Sequence, residues 1–421
     1  MSLLNADKSE LKNRYNELYD KFTAYKSLNL NLNMARGKPG KEQLELSNDI
    51  LDESYLNGFV SCDGIELRNY GVLDGIAECK KLFSEILRVN EDNIIIFGNS
   101  SLNIMYDYIS QCMVFGAGEG PWAAQKNIKF LCPVPGYDRH FAILESFGIE
   151  MINIPINSDG PDMEMIEELV KDSSVKGIIC VPMYSNPTGI SFSRETVERI
   201  AALKPAAKDF RVIWDNAYCV HHLSDDCDEF INVFDYAEKY GTEDYFIEVT
   251  STSKISFPGS GVSALAASGN NIAAIKKRMT VQTIGYDKLN QMRHAAYFRN
   301  LDGIKTHRKK HAAIIKLKFD AVLKAFNENL SGKEIAEWTN PKGGYFISLD
   351  VVPGTAKRVV FLCKEAGVTL TGAGATFPYK ADPDDKNIRI APTFPGVDEL
   401  KTAVDILCVC VEMAAIETVI N

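Results

Sequence analysis

The stretch Val249-Thr-Ser-Thr-Ser-Lys254-Ile-Ser-Phe-Pro-Gly-Ser-Gly261 follows an apolar run, Tyr245-Phe246-Ile247, which predicts the end of a buried strand. Its one lysine stands among small hydroxyl residues, and Pro258, Gly259 and Gly261 indicate a turn. Lysine amines form Schiff bases with carbonyl compounds when burial keeps them neutral. We therefore consider Lys254 a candidate reactive amine. The alternative is a solvated lysine at the edge of a strand, because most lysines are exposed.

Other predicted strands also end in polar or glycine-containing turns. They run into Gly98-Asn99-Ser100-Ser101, Pro135-Gly136-Tyr137, Asn186-Pro-Thr-Gly189 and Asp215-Asn-Ala-Tyr218. Helical segments near 162–171 and 193–203 alternate with these strands, which is typical of βαβ units in a mostly parallel sheet. Ligands bind beyond the carboxyl ends of such strands. The turns are therefore expected to meet at one edge of the sheet.

The rest of the chain predicts a second, α+β unit. Residues 8–28 have the spacing of an amphipathic helix, and residues 271–330 form a long helical region. The segment 343–349 alternates like a half-exposed strand, the segment 388–392 predicts another strand, and helices are expected at 355–366 and 397–416. We predict an N-terminal helix and loop (1–60) that belong to the smaller domain, a large domain (61–300) and a C-terminal small domain (301–421).

Composition narrows the classes of function. The 421 residues carry a net charge of −10 without a basic tract, which argues against nucleic acid as a partner. No apolar run has the length of a membrane span, and the N-terminus lacks the pattern of a signal peptide. The ten cysteines are scattered without a CxxC pair. We interpret them as reduced and mostly buried, which predicts a cytoplasmic protein.

The turn residues match the needs of a pyridine-based aldehyde cofactor. A buried carboxylate keeps the ring nitrogen of such a cofactor protonated, and Asp215 is the candidate. Tyr218 and Asn186 could donate to a ring oxygen. Tyr137 could stack on the ring, although it could equally fill the core.

The same turns could bind the charged ends of a cofactor and a substrate. Amide and hydroxyl groups for a phosphate are found at Asn99, Ser100, Ser101 and Ser251, at the predicted start of a helix. Asn99 or Ser100 could instead only cap that helix. Arg389, in a predicted strand, could form a bidentate pair with a carboxylate.

Asn186-Pro-Thr-Gly189, Asp215-x-Ala-Tyr218, Ser251-x-Ser-Lys254 and Arg389 together resemble the signature of fold-type I pyridoxal-phosphate aminotransferases, class I/II. The resemblance covers the chain from about Arg36 to the end. It implies an α/β fold, a three-layer sandwich with a mostly parallel central sheet, plus a smaller α+β domain. It also implies pyridoxal 5'-phosphate as cofactor and an amino acid and a 2-oxo acid as substrates.

The resemblance also implies residue roles. Lys254 would be the Schiff-base lysine and proton shuttle, Asp215 would bind the pyridine nitrogen, and Tyr218 and Asn186 would bind the ring oxygen. Four further roles follow in the same way: Tyr137 stacks on the ring, Asn99, Ser100, Ser101 and Ser251 bind the phosphate, Arg389 binds the substrate α-carboxylate, and Gly37 approaches that carboxylate. Tyr70 resembles the residue that reaches the phosphate of a neighbouring subunit, which implies a homodimer.

One position departs from the family pattern. The arginine that usually grips the phosphate eight residues after the lysine is replaced by Val262. The stretch Asp215-Asn-Ala-Tyr-Cys-Val-His221-His222 resembles a divergent bacterial branch of aspartate aminotransferases, which also lacks that arginine. Hydroxyls such as Ser256 or Ser260, or another cation, could compensate.

A second cation near the mouth of the site would select dicarboxylic substrates. Arg36, Lys38 and Arg139 are on suitable loops, and we favour Arg139 because it follows Tyr137 by two residues. Its alternative is a surface ion pair with Asp138 or with a neighbouring residue. We therefore predict transfer of the amino group of aspartate or glutamate to a 2-oxo acid such as 2-oxoglutarate. An aromatic or broad-specificity aminotransferase, or a C–S lyase or decarboxylase on the same fold, is the alternative.

Overall fold

The computed structural model describes residues 3–420. Its strands are β1 (Leu32–Asn33), β2 (Ile94–Ile96), β3 (Lys129–Val134), β4 (Glu150–Asn157), β5 (Gly160–Pro161), β6 (Val175–Cys180), β7 (Arg211–Asp215), β8 (Phe246–Ser251), β9 (Ser263–Ala267), β10 (Ala336–Trp338), β11 (Ile347–Val351), β12 (Val368–Thr369) and β13 (Asn387–Ile390).

The α-helices of this part of the chain are α1 (Lys8–Ser27), α2 (Lys41–Glu45), α3 (Ala77–Leu87), α4 (Ser101–Phe115), α5 (Asp138–Ser146), α6 (Met163–Leu169), α7 (Arg194–Ala201), α8 (Val233–Tyr240), α9 (Gly269–Gln282), α10 (Lys288–Phe298), α11 (Leu301–Asn329), α12 (Ala356–Glu365) and α13 (Val397–Ile420). None of the helices between residues 3 and 420 is both long enough and apolar enough to span a membrane.

A central sheet of eight strands has the order β2-β9-β8-β7-β6-β3-β4-β5. The strands from β4 through β3, β6 and β7 to β8 pair in parallel, whereas β9 is antiparallel to both of its neighbours. Strands β6 and β7 are buried along their whole length, as expected where helices cover both faces. The predicted α/β fold with a mostly parallel sheet is confirmed.

Alternate side chains of the sheet enter two different cores. Ile179, Ile213 and Ile247 pack with residues of α4, α5 and α9 on one face. Ile178, Val212 and Phe246 pack with residues of α6, α7 and α8 on the other. Because successive side chains of a strand point to opposite faces, these two cores give the molecule its three layers.

The smaller unit is built from distant parts of the chain. Strands β10, β11 and β13 form an antiparallel sheet, and β1 pairs in parallel with β12. Helix α1 packs on α13, where Arg14 forms an ion pair with Glu412 at 2.7 Å and Tyr15 Oη donates to Glu417 at 2.8 Å. The domain boundaries at 60 and 300 stay a prediction.

Two sequence interpretations were wrong in detail. The segment 343–349 is not half-exposed, because Tyr345, Phe346 and the side chains of β11 up to Leu349 are buried. The single helical region 271–330 is three helices, α9, α10 and α11. The chain breaks near Gly285, which has φ +147°, and at Arg299, which has φ +66°. Both positions have the backbone geometry of turns, and helical periodicity continues across them in the sequence.

Candidate active site

A cavity of about 440 Å³ lies at the carboxyl ends of the parallel strands. It brings together all but one of the predicted site residues: Arg36, Gly37, Asn99, Ser100, Ser101, Tyr137, Arg139, Asn186, Asp215, Tyr218, Ser251, Lys254 and Arg389. The exception is Tyr70. The turns at the strand ends share this cavity with Arg36 and Arg389, which are more than 350 positions apart in the sequence and lie outside the central sheet.

The turn that carries Lys254 is closed by the backbone. Thr252 N donates to Val262 O, and Val262 N donates to Thr252 Oγ1, both at 2.9 Å. A β carbon added at Gly261 would meet Ser253 Cα at 2.8 Å, so only glycine fits there without a shift. Val262 is buried and closes the turn through its backbone, so its side chain offers no charge to a phosphate.

Lys254 is half-buried, and its Nζ lies 4.6 Å from the centroid of the Tyr218 ring. Burial lowers the pKa of Lys254, while the charge of Asp215 acts in the opposite direction. A lowered pKa increases the neutral, nucleophilic fraction of the amine. Lys254 lines the cavity, and its role as a reactive amine stays a prediction.

Asp215 ends β7 and is almost fully buried. Its Oδ2 lies 2.9 Å from His140 Nε2, and an ionised carboxylate only accepts, so that nitrogen carries the hydrogen. Its Oδ1 has no hydrogen-bond partner within residues 3–420 although it is buried. A buried carboxylate oxygen without a donor is costly. The N–H of a protonated pyridine would satisfy it, so this site fits the cofactor that the resemblance implies.

Arg389, in β13, is held by several groups. Its Nη1 donates to Asp138 Oδ1 at 2.7 Å and to Asn186 Oδ1 at 3.3 Å, and its Nη2 donates to Thr371 Oγ1 at 3.3 Å. Its guanidinium carbon lies 5.1 Å from the Phe346 ring centroid. A guanidinium fixed in this way can present a planar edge to a carboxylate.

The predicted phosphate site lies at the N-terminus of α4. Ser100 is the residue before this helix, and its side chain makes no capping hydrogen bond. The side-chain amide of Asn99 donates to Pro258 O at 3.1 Å and so ties the start of α4 to the lysine turn. The first backbone N–H groups of this 15-residue helix have no partners within it, which suits an anion.

Two tyrosines line the cavity beside Asp215. Tyr137 is half-buried, so it is not a core residue, and its ring makes an edge contact with His140 at 5.0 Å. Burial raises the pKa of Tyr137 to about 12. Burial also raises the pKa of Tyr218 well above its ordinary value. Both phenols therefore keep their hydrogen at neutral pH and can act as donors.

Of the three candidate cations, Arg36 and Lys38 lie on an exposed loop, whereas Arg139, which we expected on a loop, is in the first turn of α5. Arg36 and Arg139 are exposed and line the cavity, and Lys38 Nζ lies 3.8 Å above the Phe394 ring. Asp138 pairs with Arg389, so the ion pair that we considered between Asp138 and Arg139 is not formed. A β carbon at Gly37 would meet Phe346 Cζ at 2.4 Å, so Gly37 allows its loop to pack closely at the cavity.

Tyr70 lies outside the cavity. It is 84% exposed and borders a separate surface hollow with Ile284 and Lys288. Lys288 Nζ donates to Gly71 O at 3.2 Å and also to Asn69 O, which holds the loop around Tyr70. Within this chain, Tyr70 is therefore apart from the other site residues.

The sequence interpretation missed three functional neighbours. His140 was not assigned to Asp215, although a histidine three residues after Tyr137 at the start of a helix was a usable signal. Asp138 was considered only as a partner of Arg139, and it binds Arg389 instead. Phe346 lies beside Arg389, and no local pattern in the sequence indicates this contact.

Similarity to known proteins agrees with this geometry. The family model described as aspartate amino-transferase matches residues 6–421. The chain is 44% identical to an aspartate aminotransferase of Corynebacterium glutamicum over 423 aligned residues, with 100% of this chain and 98% of that protein covered. It is 46% identical to a putative aminotransferase of Mycolicibacterium smegmatis, with 93% of each chain covered.

Solved structures show the same relationship. The crystal structure of an aspartate transaminase from Corynebacterium glutamicum has a TM-score of 0.97, 44% identity and 99% coverage of both chains. An α-aminoadipate aminotransferase from Thermus thermophilus, solved with N-(5'-phosphopyridoxyl)-L-leucine, has a TM-score of 0.73 at 19% identity, covers 91% of this chain and 92% of its own, and shares the fold. This protein is an aminotransferase and belongs to the aspartate aminotransferase family.

Proposed function

We propose that the cavity binds pyridoxal 5'-phosphate, and that the enzyme moves the amino group of aspartate or glutamate to a 2-oxo acid such as 2-oxoglutarate. The observation that carries this proposal is the position of Asp215. Its Oδ1 is buried without a partner within the described residues, in the same cavity as Lys254. A pyridinium N–H is the donor that such an oxygen needs.

Several side chains would hold the cofactor. Asp215 would accept from the ring nitrogen, and Tyr218 and Asn186 would contact the ring oxygen. Tyr137 would lie against the ring. Asn99, Ser100, Ser101 and Ser251 would surround the phosphate at the N-terminus of α4, where backbone N–H groups and the helix dipole favour an anion. This arrangement supports phosphate binding with Val262 in place of an arginine.

Lys254 would move the proton. When bound, pyridoxal phosphate supplies an aldehyde that condenses with amines and a ring that withdraws electrons from the substrate α carbon. Lys254 Nζ would take the proton from that carbon, and its lowered pKa favours the neutral form that this step requires. His140 holds the Asp215 carboxylate in place through its Nε2 hydrogen at 2.9 Å.

Arg389 would bind the α-carboxylate of the substrate, with Gly37 close by. Arg139 or Arg36 at the cavity mouth would pair with the second carboxylate of aspartate or glutamate. The names of the two Corynebacterium glutamicum matches, aspartate aminotransferase and aspartate transaminase, support a dicarboxylic substrate.

We further infer a homodimer and a cytoplasmic location. Tyr70 and Ile284 border the same surface hollow, and Val281 is three residues before Ile284 in the sequence. All three side chains are exposed: Tyr70 at 84%, Val281 at 90% and Ile284 at 61%. A second copy that covers this surface would remove these side chains from water. All ten cysteines are free, and eight of them are buried, which supports a reducing compartment.

The test uses the purified protein with pyridoxal phosphate, a panel of amino acids, and 2-oxoglutarate or no acceptor. We expect amino-group transfer that requires the 2-oxo acid, with the lowest KM for aspartate or glutamate. Turnover that continues without an acceptor and releases ammonia, sulfide or carbon dioxide would assign the protein to the lyase or decarboxylase class instead. A lowest KM for phenylalanine or tyrosine would assign an aromatic aminotransferase.

A further inference from the structure

Side chains from distant parts of the chain hold the backbone carbonyls of the lysine turn. Tyr345 Oη donates to Lys254 O at 2.8 Å, and Ser47 Oγ donates to Ile255 O at 3.1 Å. His307 Nε2 lies 2.8 Å from the same Ile255 oxygen. The position of Lys254 therefore depends on groups from the N-terminal segment, from α11 and from the residues before β11.

These groups also bind one another. Gln43 Nε2 donates to Tyr345 Oη at 3.0 Å and lies 3.3 Å from His311 Nδ1. His311 Nε2 and His307 Nε2 are 3.0 Å apart, so one of the two carries the hydrogen between them. We call this set the lysine circuit: Tyr345, Gln43, His311 and His307. A neutral Nε2 cannot accept from His311 and donate to Ile255 O at once, so the hydrogen-bonded path runs from Lys254 O to His307, which contacts the turn at Ile255 O.

The lysine circuit also reaches the loop 36–40 at the cavity mouth. Gly40 N donates to Gln43 Oε1 at 3.2 Å, so one amide side chain binds the end of this loop and the circuit at the same time. Arg36, Gly37 and Lys38 of the same loop line the cavity. Gln43 therefore connects the end of this loop to the groups that contact the lysine turn.

Burial makes this circuit sensitive to the loss of any one member. Gln43 is fully buried, Tyr345 is 1% exposed, and His307 and His311 are each 3% exposed. Burial lowers the pKa of His307 to about 4 and that of His311 to about 3, so both are neutral at pH 7. In a buried network, one lost partner leaves a polar group that water cannot reach.

We propose that Gln43, His311, His307 and Tyr345 are positioning residues that couple the loop 36–40 to Lys254, so that the amine is held in its reactive place only when the loop is in place. The four residues act through the backbone of the turn, and none of them lines the cavity. This inference rests on the proposed role of Lys254, because it assigns to the circuit the placement of that amine.

The experiment compares Gln43→Leu, Tyr345→Phe and the double variant with the unchanged holoenzyme. Backbone hydrogen–deuterium exchange is measured at Ile255 and Ser256, whose amides donate to Thr252 O at 2.9 and 2.8 Å. It is also measured at Leu44, whose amide donates to Gly40 O at 3.2 Å. Exchange needs no turnover, so this readout stands even if the proposed reaction fails.

We expect each single variant to speed exchange about tenfold at both places, because a lost buried hydrogen bond has an effect of that order. The kcat should fall about tenfold with less than a twofold change in KM, since these residues do not touch the substrate. The kcat of the double variant should be no lower than that of the more impaired single variant, because either substitution alone already breaks the chain of hydrogen bonds. Two results would overturn the coupling. One is a loss of kcat in the double variant equal to the product of the two single losses. The other is faster exchange only beside the substituted residue.

Tyr108→Phe is the matched control. Tyr108 is also a buried tyrosine, and its hydroxyl accepts from Arg211 Nε at 2.9 Å near the start of β7. The loss of this oxygen should leave exchange at Ile255 and Leu44 unchanged. Tyr345→Phe removes one atom only, so it tests the proposal by itself if Gln43→Leu does not fold. An absence of transfer by the unchanged enzyme would contradict the proposed function and not the coupling.

Discussion

Arg389 Nη1 is bound to a carboxylate of the protein itself, because Asp138 Oδ1 lies 2.7 Å from it. Asp138 is the first residue of α5, and its side chain is 33% exposed at the cavity. A substrate α-carboxylate that uses this nitrogen must therefore compete with Asp138. Asp138 therefore has two effects. It holds the guanidinium of Arg389 in position, and its negative charge opposes the binding of an anion beside it.

Asp138→Asn should lower KM for aspartate. The asparagine keeps the shape and removes the competing negative charge. A partly exposed ion pair contributes up to about 1 kcal/mol, so a decrease of about fivefold is expected with little change in kcat. Steady-state kinetics and the dissociation constant of succinate would measure it. A KM that rises tenfold would show instead that Asp138 keeps Arg389 in position.

Lys254→Ala should abolish turnover and the visible absorbance that bound pyridoxal phosphate gains from its bond to the lysine. The reason is that no other amine among the described residues lines the cavity except Lys38, which is exposed at its mouth. Lys129→Ala is the control, because Lys129 pairs with Asp172 away from the cavity. Turnover that persists in Lys254→Ala would refute the assigned role.

Arg139→Ala should raise KM for aspartate and glutamate about tenfold and leave KM for aromatic amino acids nearly unchanged. Arg139 is exposed at the cavity mouth, and Asp138 is engaged by Arg389, so the guanidinium is available to a substrate carboxylate. A charge-assisted pair of this kind is worth about 1.5 kcal/mol or more, which corresponds to roughly tenfold. Equal losses for both substrate classes would contradict this role. Arg36→Ala, measured with the same two classes of substrate, tests the other candidate cation at the cavity mouth.

Glu248→Gln should change how stability depends on pH. Burial raises the pKa of Glu248 to about 7, and its Oε2 has no partner within residues 3–420. The folded protein therefore holds this proton at pH values where the unfolded chain, with a pKa of about 4.5, has lost it. Stability from this group is present below about pH 4.5 and is lost as the pH rises through 7.

The glutamine variant lacks that titration. The free energy of unfolding of the variant, relative to the unchanged protein, should therefore rise by about 3 kcal/mol between pH 4 and pH 8. Urea unfolding at several pH values would measure the difference. Glu198→Gln is the comparison of opposite sign, because Lys239 lowers the pKa of this surface carboxyl, so the relative stability of that variant should not rise with pH. A difference that stays flat with pH would mean that folding does not raise the pKa of Glu248.

Local sequence patterns were sufficient where one short segment determines the structure. Each predicted turn follows a strand that is buried, and parallel strands place their carboxyl ends at one edge, so Asn186, Asp215 and Lys254 were found together. The helices at 162–171 and 193–203 were recognised from their spacing and form as α6 and α7. These features depend on residues near one another in the chain.

Local patterns could not predict the contacts between residues that are distant in the sequence. Tyr345 and Lys254 meet only because β11 and the lysine turn are brought together by the folded chain, and no periodicity records that contact. The segment 343–349 looked half-exposed because its polar positions alternate. In the structure, the polar Ser348 is buried and accepts from the amide of Asn387 at 2.8 Å. Tertiary packing overrides the local pattern there.

The contact between α1 and α13 also has a consequence for the time course of synthesis. Tyr15 and Glu417, which bond across these helices, are 402 residues apart. At the usual pace of a ribosome, the first helix leaves the exit tunnel on the order of half a minute before the last one exists. Leu11, Leu18 and Phe22 are without the surface of α13 for that interval, so the order of synthesis delays the completion of this part of the core.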